Sequence, residues 1–395
     1  MTEQRETLAR LSDSDVAELT AWRRDLHRHP ELSGQEERTA ATVVAMLRET
    51  GPDDLITGIG GHGVAALYDS GKPGPRVLLR SELDGLPIKD LADIPHRSVV
   101  PGQGHQCGHD GHMAIIAAMA RILGRSRPAS GSVLLMFQPA EEDGSGAAKV
   151  VADPAFGALR PDYAFAIHNL PGVPLGQVAI MDGPTSCASR GMTLKLTGKT
   201  AHASEPHAGI SPMRAIAELM PALTALGDND RPTRDPDFTL VTITHADMGA
   251  PAFGVAPGEG RIYATLRTLT DEKMSGLVER AEAMATKVAA KEGLRLEIGY
   301  EDVFVTCEND LEATNIVRAA LDQLKIPHGA GPLPFRASED FGHFGKGSRM
   351  SILMLGAGET HAALHNPDYD FPDALIEQGA RIFSGIVDQV LAGPA

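Results

Sequence analysis

The sequence predicts an α/β protein whose mainly parallel sheet is flanked by helices and interrupted by an inserted ferredoxin-like α+β domain. Short apolar runs alternate with amphipathic segments over residues 1–186, as they do in sheets covered by helices. In the middle of the chain the pattern changes to strands in which apolar and polar residues alternate. After residue 298 the chain returns to the first pattern and would complete the first sheet.

The first domain is predicted from the positions of its apolar residues. Helical spacing predicts two N-terminal helices, over 14–29 and 35–50. Apolar runs predict buried strands at 64–68, 77–80, 132–137 and 163–168, and a helix is expected at about 111–124. Strands that alternate with helices favour parallel pairing.

The inserted domain is predicted over residues 187–298. Its first strand, MTLKLT at 192–197, has the alternation of a strand with one wet face. The elements that follow are a helix at 211–226, strands at 238–245 and 260–268, a helix at 271–291 and a strand at 294–300. This order, β-α-β-β-α-β, is ferredoxin-like. Residues 1–186 and 299–395 would then form the first domain.

Composition narrows the class of protein. The 395 residues carry a net charge of −16, which would repel nucleic acid and anionic membranes. The three cysteines, an odd number, indicate no disulfide framework and favour a reducing compartment. The N-terminal segment lacks the apolar core of a signal peptide, and no apolar run has the length of a membrane span. We expect a soluble, cytoplasmic protein.

The densest group of chemically active residues is GHQCGHDGH at 104–112. Cys107 and His109 are two residues apart, so in an extended segment their side chains would leave the same face. A thiolate and an imidazole together suit zinc, manganese, cobalt or nickel. Alternatively, Cys107 is a small buried apolar residue. Asp110 is expected to be the N-cap of the following helix.

Further candidates follow strands of the same predicted sheet. Glu141 and Glu142 come directly after one strand, and in an extended segment they would point in opposite directions. One could then bind a metal while the other faces a substrate as general base. His168 ends another strand, and His365 lies in a loop before the last helix, together with His361. Loops at the carboxyl ends of parallel strands are where such sheets bind ligands.

A glycine pattern at residues 58–63 has the spacing G-x-G-x-x-G of a dinucleotide-binding turn. That motif functions between a strand and a helix, with the phosphates at the helix N-terminus. Here the glycines lead into VAALYDSGKPG, which is typical of a strand and a turn. We therefore predict a glycine-rich hairpin and no nucleotide site.

Taken together, the motifs resemble the aminoacylase and carboxypeptidase type of metallopeptidase. Within it, the likeness is to the branch of hippurate hydrolases, N-acyl-amino-acid amidohydrolases and plant auxin-conjugate hydrolases. It is carried, in order, by RRDLHRHPELSGQE, LLRSELDGLPI, QCGHDGH, FQPAEE, AIHNLP, GKTAHASEPHAGI, SEDFGHF and ALHNPDYDF. The resemblance implies a zinc-peptidase-like fold, in which the inserted domain is a lid that also forms a homodimer or a higher oligomer.

The resemblance also implies a metal centre and roles for named residues. Two divalent metal ions per subunit, of manganese, zinc, cobalt or nickel, would be held by Cys107, His109, Glu142, His168 and His365. Cys107 would bridge the pair. Glu141 matches the general base, His202 matches a lid histidine that stabilises an oxyanion, and Arg267 resembles an arginine that meets a substrate carboxylate.

The implied function is hydrolysis of the amide bond of an N-acyl amino acid. Hydrolysis of another C–N bond, as in a dipeptidase or an aryl-amine deaminase, is an alternative, and so is a metal-binding protein without catalysis. The chain departs from the usual pattern of the branch at Glu82, Gly254 and Ser211, where an aspartate, an asparagine and an aspartate are common. These departures bear on substrate choice.

Overall fold

The computed structural model describes residues 10–391, which divide into two compact units. The first unit contains residues 10–185, Glu308–Leu333 and 340–391, and the second contains Ser186–Cys307 and Pro334–Glu339. The insertion predicted at 187–298 lies within the second unit, which extends beyond residue 298. No helix in residues 10–391 combines the length and the apolar character that crossing a membrane requires.

The described residues form the following helices and strands, numbered in chain order. The helices are α1 Asp13–Arg28, α2 Glu37–Arg48, α3 His109–Arg125, α4 Gly146–Ala152, α5 Pro154–Leu159, α6 Met213–Thr224, α7 Asp271–Lys291, α8 Leu311–Leu324 and α9 Leu375–Leu391. The strands are β1 Asp54–Ile59, β2 Gly63–Asp69, β3 Arg76–Glu82, β4 Ser132–Gln138, β5 Tyr163–Pro171, β6 Val178–Ala179, β7 Gly183–Ser186, β8 Ala188–Thr197, β9 Ala201–His202, β10 Thr239–Met248, β11 Val255–Ala256, β12 Glu259–Thr268, β13 Arg295–Phe304, β14 Cys307–Asn309, β15 His328–Gly329 and β16 Arg349–Gly358. Short 3₁₀ helices occupy Pro206–Ala208 and Asp340–Gly345.

The first unit is built on an eight-stranded sheet in the order β1-β2-β4-β3-β5-β16-β6-β15. Strands β4, β3, β5 and β16 pair in parallel and form its centre, while β1 and β2 pair antiparallel at one edge. All seven residues of β4 are buried, which agrees with its continuous apolar sequence. The predicted mainly parallel α/β fold is confirmed.

Helix α3 is the central helix of this unit. It packs against α1, α9 and β3, and the apolar residues of its central turns are buried on every side. That position explains the sequence AIIAAMA, which has no polar face for water. The start of α3 lies beside the carboxyl end of β3, where His112 is hydrogen-bonded to Glu82.

The glycine pattern at residues 58–63 forms the antiparallel hairpin between β1 and β2. Gly58 and Gly60 have φ angles of 83° and 64°, in the left-handed region that favours glycine. A Cβ on Gly63 would overlap the carbonyl oxygen of Ile59. The predicted hairpin is confirmed, since no helix follows the glycines.

The second unit has the predicted ferredoxin-like arrangement. Its four antiparallel strands lie in the order β10-β12-β8-β13. Helices α6 and α7 pack on the sheet, and the core between them contains the alternating apolar residues Met192, Leu194 and Leu196 of β8. The alternation in MTLKLT therefore reflects one face on this core and one face towards solvent.

Candidate metal centre

Cys107 and His109 lie at the entrance to α3. Gly108 between them has a φ of 86° and is the N-cap of the helix, so the backbone turns sharply at this point. The prediction that both side chains leave one face of an extended segment is wrong in its geometry, although the two residues do approach a common point. Asp110 is not the N-cap, because it is the second residue of α3 and is buried against Arg23 and His27.

Glu141 and Glu142 lie in a turn directly after β4. The turn begins at Ala140, whose φ of 52° is unusual for a residue with a side chain. Oε2 of Glu141 lies 4.0 Å from Nε2 of His109, and Oε1 of Glu142 lies 3.8 Å from the same nitrogen. The expectation that the two side chains point in opposite directions is therefore wrong, because a turn replaces the extended segment on which it depended.

Ligand atoms from four separate segments of the first unit converge on this place. The side-chain ligand atoms of Cys107, His109 and His168 all lie within 4.8 Å of one another. Those of Cys107, Glu142 and His365 form a second group within the same distance. Cys107 belongs to both groups, so its thiolate would be a ligand common to both if each group held a cation.

Two buried polar atoms in this cluster have no hydrogen-bond partner among the described residues. They are Nε2 of His109 and Oε1 of Glu142. A buried polar atom without a partner costs free energy, and metal ligation is one way to satisfy it. Thiolate, imidazole and carboxylate are also the donors that divalent transition metals prefer. The residues present thus fit a pair of divalent cations.

The orientation of the histidines agrees with this fit. Nδ1 of His109 donates to the backbone oxygen of Asp84 at 2.9 Å, and Nδ1 of His168 donates to the backbone oxygen of Asn169 at 2.8 Å. Each bond places the proton on Nδ1, so the Nε2 lone pair faces the cluster. Nε2 of His168 lies 3.5 Å from the sulfur of Cys107.

The cluster brings acidic groups together in a buried place, which favours their protonated forms when no cation is bound. Burial and the carboxylates of Glu142 and Glu141 raise the pKa of the Cys107 thiol well above its usual value. Burial raises the pKa of Glu142 to about 7. Burial disfavours the charged form of His109, but Asp84, Glu82 and Glu142 outweigh it and raise the pKa of this histidine to about 10. Cations bound among these groups would take the place of protons.

His365 approaches from the loop between β16 and α9. Its Nε2 lies 3.6 Å from Oε2 of Glu142, and its backbone N–H donates to the carbonyl of Gln106 at 2.8 Å. The φ of His365 is 64°, a strained conformation for a residue with a Cβ. His361, its neighbour in the sequence, instead donates from Nε2 to the backbone oxygen of Asp370 and lies outside the two ligand groups.

Residues to which the sequence analysis gave no role hold the cluster in place. Asn169 donates from Nδ2 to the carbonyl of Cys107 at 2.7 Å, and its Oδ1 accepts the hydroxyl of Tyr369. His112 donates to Glu82 at 2.7 Å and accepts the backbone N–H of Asn169 at 3.0 Å. Glu82, one of the departures from the usual pattern, is also paired with Arg80. Asn169 follows His168 directly in AIHNLP, which is the signal that could have identified it.

The remaining candidates, His202 and Arg267, lie in the second unit. His202 is exposed in β9, and its Nδ1 accepts the backbone N–H of Ser204 at 3.2 Å. Arg267 is half-buried in β12, where Nη1 donates to the backbone oxygen of Arg336 at 2.8 Å and to Oγ of Ser338 at 3.0 Å. The functional roles of both residues stay predictions.

Comparison with known proteins decides the family. The model of peptidase family M20/M25/M40 matches residues 78–389. The chain belongs to this peptidase family. N-acetyl-L-cysteine deacetylase of Bacillus subtilis is 31% identical over 365 residues, covering 91% of this chain and 85% of the relative. IAA-amino acid hydrolase ILR1-like 2 of Arabidopsis thaliana is 32% identical over 386 residues, covering 93% and 84%.

A solved structure supports the same assignment. A Bacillus subtilis protein described as a dinuclear metal binding peptidase from the M20 family matches with a TM-score of 0.80 and 25% identity, covering 97% of this chain and 100% of that one. The M20 family member described here is accordingly a metal-dependent hydrolase of amide bonds. Its two ligand groups, joined at Cys107, fit a dinuclear centre. The predicted family, reaction class and pair of divalent metal ions are confirmed.

Proposed function

We propose that this M20 family member hydrolyses the amide bond between an acyl group and the nitrogen of an amino acid. The observation that carries the proposal is the place of Glu141, a buried carboxylate 4.0 Å from His109 beside two ligand groups that share Cys107. The names of the two relatives also support it, since one describes deacetylation of N-acetyl-L-cysteine and the other hydrolysis of an IAA–amino acid.

In this proposal five side chains hold two divalent cations. Cys107, His109 and His168 would hold one cation, and Cys107, Glu142 and His365 the other, with the sulfur shared. When bound, the cations would polarise the amide carbonyl and lower the pKa of water towards roughly 7. We propose manganese, zinc, cobalt or nickel, because these metals accept mixed sulfur, nitrogen and oxygen ligands.

Glu141 is the general base in this proposal. Its carboxylate would accept a proton from the attacking water and later deliver that proton to the leaving nitrogen, so that one group serves both steps. A positioned acid–base group is typically worth about 10²–10⁴-fold in rate. The backbone N–H of Asp340 lies 3.4 Å from Oε1 of Glu141, while Oε2 faces His109.

We propose that His202 donates a hydrogen bond to the oxyanion and that Arg267 meets the carboxylate of the amino acid. The backbone N–H of Ser204 donates to Nδ1 of His202, which places the proton of a neutral imidazole on Nε2. Nε2 can then serve as the donor. Losing one oxyanion donor typically costs on the order of 10²–10³-fold in rate. For Arg267, the bonds to Arg336 and Ser338 both come from Nη1, and neither uses Nη2 or Nε.

We also propose a cytoplasmic homodimer formed through the second unit. Cys107, Cys187 and Cys307 are buried and are not joined in a disulfide, which suits a reducing compartment. Strand β10 is an edge strand of the second unit's sheet, and half of its residues are exposed. An exposed edge strand can pair with a second copy of the chain. Sedimentation equilibrium of the purified protein would test the dimer.

A substrate panel on metal-reconstituted protein tests the proposed function. The protein would be freed of metal, loaded with Mn²⁺ or Zn²⁺, and assayed on hippurate, acetylated amino acids, dipeptides and aryl amines. Release of a free amino acid from the acylated substrates is the expected result. Preference for dipeptides, or release of ammonia from aryl amines, would assign another C–N bond. Absence of turnover in protein that holds two metal ions would favour a binding role.

A further inference from the structure

The segment RHPELSGQE at 28–36 has no role in the proposed chemistry, yet it contacts two loops of the metal centre. Gly85 donates its backbone N–H to the carbonyl of Glu31 at 2.8 Å, and Ser33 donates its hydroxyl to Oδ2 of Asp84 at 2.7 Å. Oδ2 of Asp84 also accepts the backbone N–H of Glu142 at 3.0 Å. The segment therefore supports both the loop after β3 and the turn after β4.

Glu36 connects the segment directly to the turn after β4. Its side chain is fully buried, and Oε1 accepts the backbone N–H of Gly34 at 2.9 Å and that of Ala140 at 2.8 Å. Its Oε2 has no hydrogen-bond partner among the described residues. Burying a carboxylate costs free energy unless it accepts hydrogen bonds. The bond from the Ala140 N–H therefore fixes the position of the backbone at Ala140 relative to Glu36.

Ala140, whose N–H is bound by Glu36, has an unusual backbone conformation. It adopts a φ of 52°, and it immediately precedes Glu141 and Glu142. The left-handed conformation disfavours any residue with a Cβ, so the surroundings of Ala140 must maintain it. Two hydrogen bonds do so: Ala140 donates to Glu36, and its carbonyl accepts the N–H of Gly146 at 2.9 Å. A Cβ on Gly146 would overlap the carbonyl of Pro139, which shows how tightly this turn is closed.

We propose that Glu36 is a positioning residue that sets the turn carrying Glu141 and Glu142. By holding Ala140 in the left-handed conformation, Glu36 directs both carboxylates towards His109. This inference rests on the proposed function, because it gives Glu142 a place as metal ligand and Glu141 a place as base. The essential property of Glu36 is the reach of an acceptor oxygen to the Ala140 N–H. Its negative charge is not essential, and burial already raises its pKa.

Two substitutions separate reach from charge. Glu36→Gln keeps an acceptor oxygen at the same distance and removes the charge, whereas Glu36→Asp keeps the charge and withdraws the oxygen by one methylene. Asp153→Ala is the control, since Asp153 also accepts two backbone N–H groups, from Gly60 and Ala155, but belongs to neither ligand group. Each protein would be freed of metal and titrated with Mn²⁺ by calorimetry, then assayed with the best acylated substrate.

Positioning predicts a specific pattern across these variants. Glu36→Asp should bind one Mn²⁺ equivalent about 10–100-fold more weakly and lose kcat with little change in KM, as substitutions that misplace a metal ligand do. Glu36→Gln and Asp153→Ala should match the natural chain. Mn²⁺ affinity in Glu36→Asp equal to that of the natural chain would overturn the inference. Weak Mn²⁺ binding by Glu36→Gln, or its failure to fold, would also overturn it, because this variant keeps both hydrogen bonds. Failure of Glu36→Asp to fold would show a purely structural role and would also overturn it.

The proposed function fails separately from this inference. If the natural chain binds no Mn²⁺, or hydrolyses no acylated amino acid when loaded, the proposed function is wrong whatever the Glu36 variants do. If the natural chain binds two equivalents and turns over, and Glu36→Asp behaves identically, only the positioning role is wrong.

Discussion

Nδ1 of His109 lies 2.9 Å from the backbone oxygen of Asp84, and this bond determines which nitrogen of the imidazole faces the metal centre. With one proton held on Nδ1, Nε2 points at Cys107, Glu141 and Glu142, and it is the nitrogen whose proton a cation would replace. The atom that supplies the orientation belongs to the backbone, so substitution of the Asp84 side chain would leave that bond possible. The orientation of the imidazole is thus set before any cation binds.

Replacing Cys107 with alanine should reduce the metal content of the protein below two ions per chain. The thiol belongs to both ligand groups, so its loss weakens both positions. Elemental analysis after metal loading and desalting measures the effect. Cys187→Ala is the control, because Cys187 is also buried but its sulfur contacts the carbonyl of Phe335 in the second unit. Unchanged metal content in Cys107→Ala would contradict a shared ligand.

Replacing Glu141 with glutamine should lower kcat by about 10²–10⁴-fold while the protein keeps its metal and its fold. The amide has the shape of the carboxylate but cannot accept the proton of the attacking water. Turnover of the best substrate and metal content would be measured on the same sample. Glu142→Gln is the comparison, and it should lose metal as well as activity. A Glu141→Gln protein as active as the natural chain would remove Glu141 from the mechanism.

Replacing Asn169 with alanine should destabilise the protein by about 1–3 kcal/mol even without metal, because buried partners lose their hydrogen bonds. The carbonyl of Cys107 and the hydroxyl of Tyr369 both depend on this side chain. Urea unfolding of metal-free protein gives the free energy. In a double-mutant cycle, Tyr369→Phe should cost less in the Asn169→Ala background than in the natural one. Strictly additive effects would show that the two side chains do not cooperate.

The free energy of unfolding should fall as the pH rises from about 6.5 to about 9, through His27. Burial opposes the charge of His27, but Asp110 and Asp90 outweigh it and raise its pKa to about 9. A raised pKa in the folded state stabilises the protein fully below the unfolded value, and this contribution is lost as pH passes the folded value. A shift of this size corresponds to about 3 kcal/mol.

The measurement is urea unfolding of metal-free protein at a series of pH values, for the natural chain and for His27→Gln. Metal is removed because its own binding depends on pH. The glutamine variant should be less stable at pH 6 and should lose the part of the slope that His27 contributes. Parallel curves for the two proteins across this range would show that His27 does not carry the pH dependence.

Most of the architecture could be predicted from the sequence, because the helices and strands are indicated by the periodic spacing of apolar residues. The continuous apolar run of β4 reflects a strand buried on both faces, and the alternation in β8 reflects a strand buried on one face. The spacing of apolar residues thus indicates which faces are buried. The β1–β2 hairpin could also be predicted, since its glycines adopt the left-handed backbone conformation that few other residue types tolerate. The family followed from several motifs in order rather than from any one of them.

Local geometry at the metal centre was predicted incorrectly for a common reason. The prediction assumes an extended backbone at residues 107–109 and 141–142, whereas the left-handed conformations of Gly108 and Ala140 turn the chain at both places. Alanine carries no sequence signal for such a turn. The conformation of Ala140 is maintained by Glu36, a residue 104 positions away in the chain. The residue pattern within a short stretch of sequence does not indicate that contact.

The sequence by itself determined the residue types of the centre and the strands after which they appear. Only the tertiary structure decided which atoms meet: that Cys107 belongs to two ligand groups, that Nε2 of His109 is the open nitrogen, and that Glu36 holds the turn of the carboxylates. The physical reason is that apolar spacing records the burial of each element against its neighbours, whereas ligand geometry depends on hydrogen bonds between segments that are distant in the sequence.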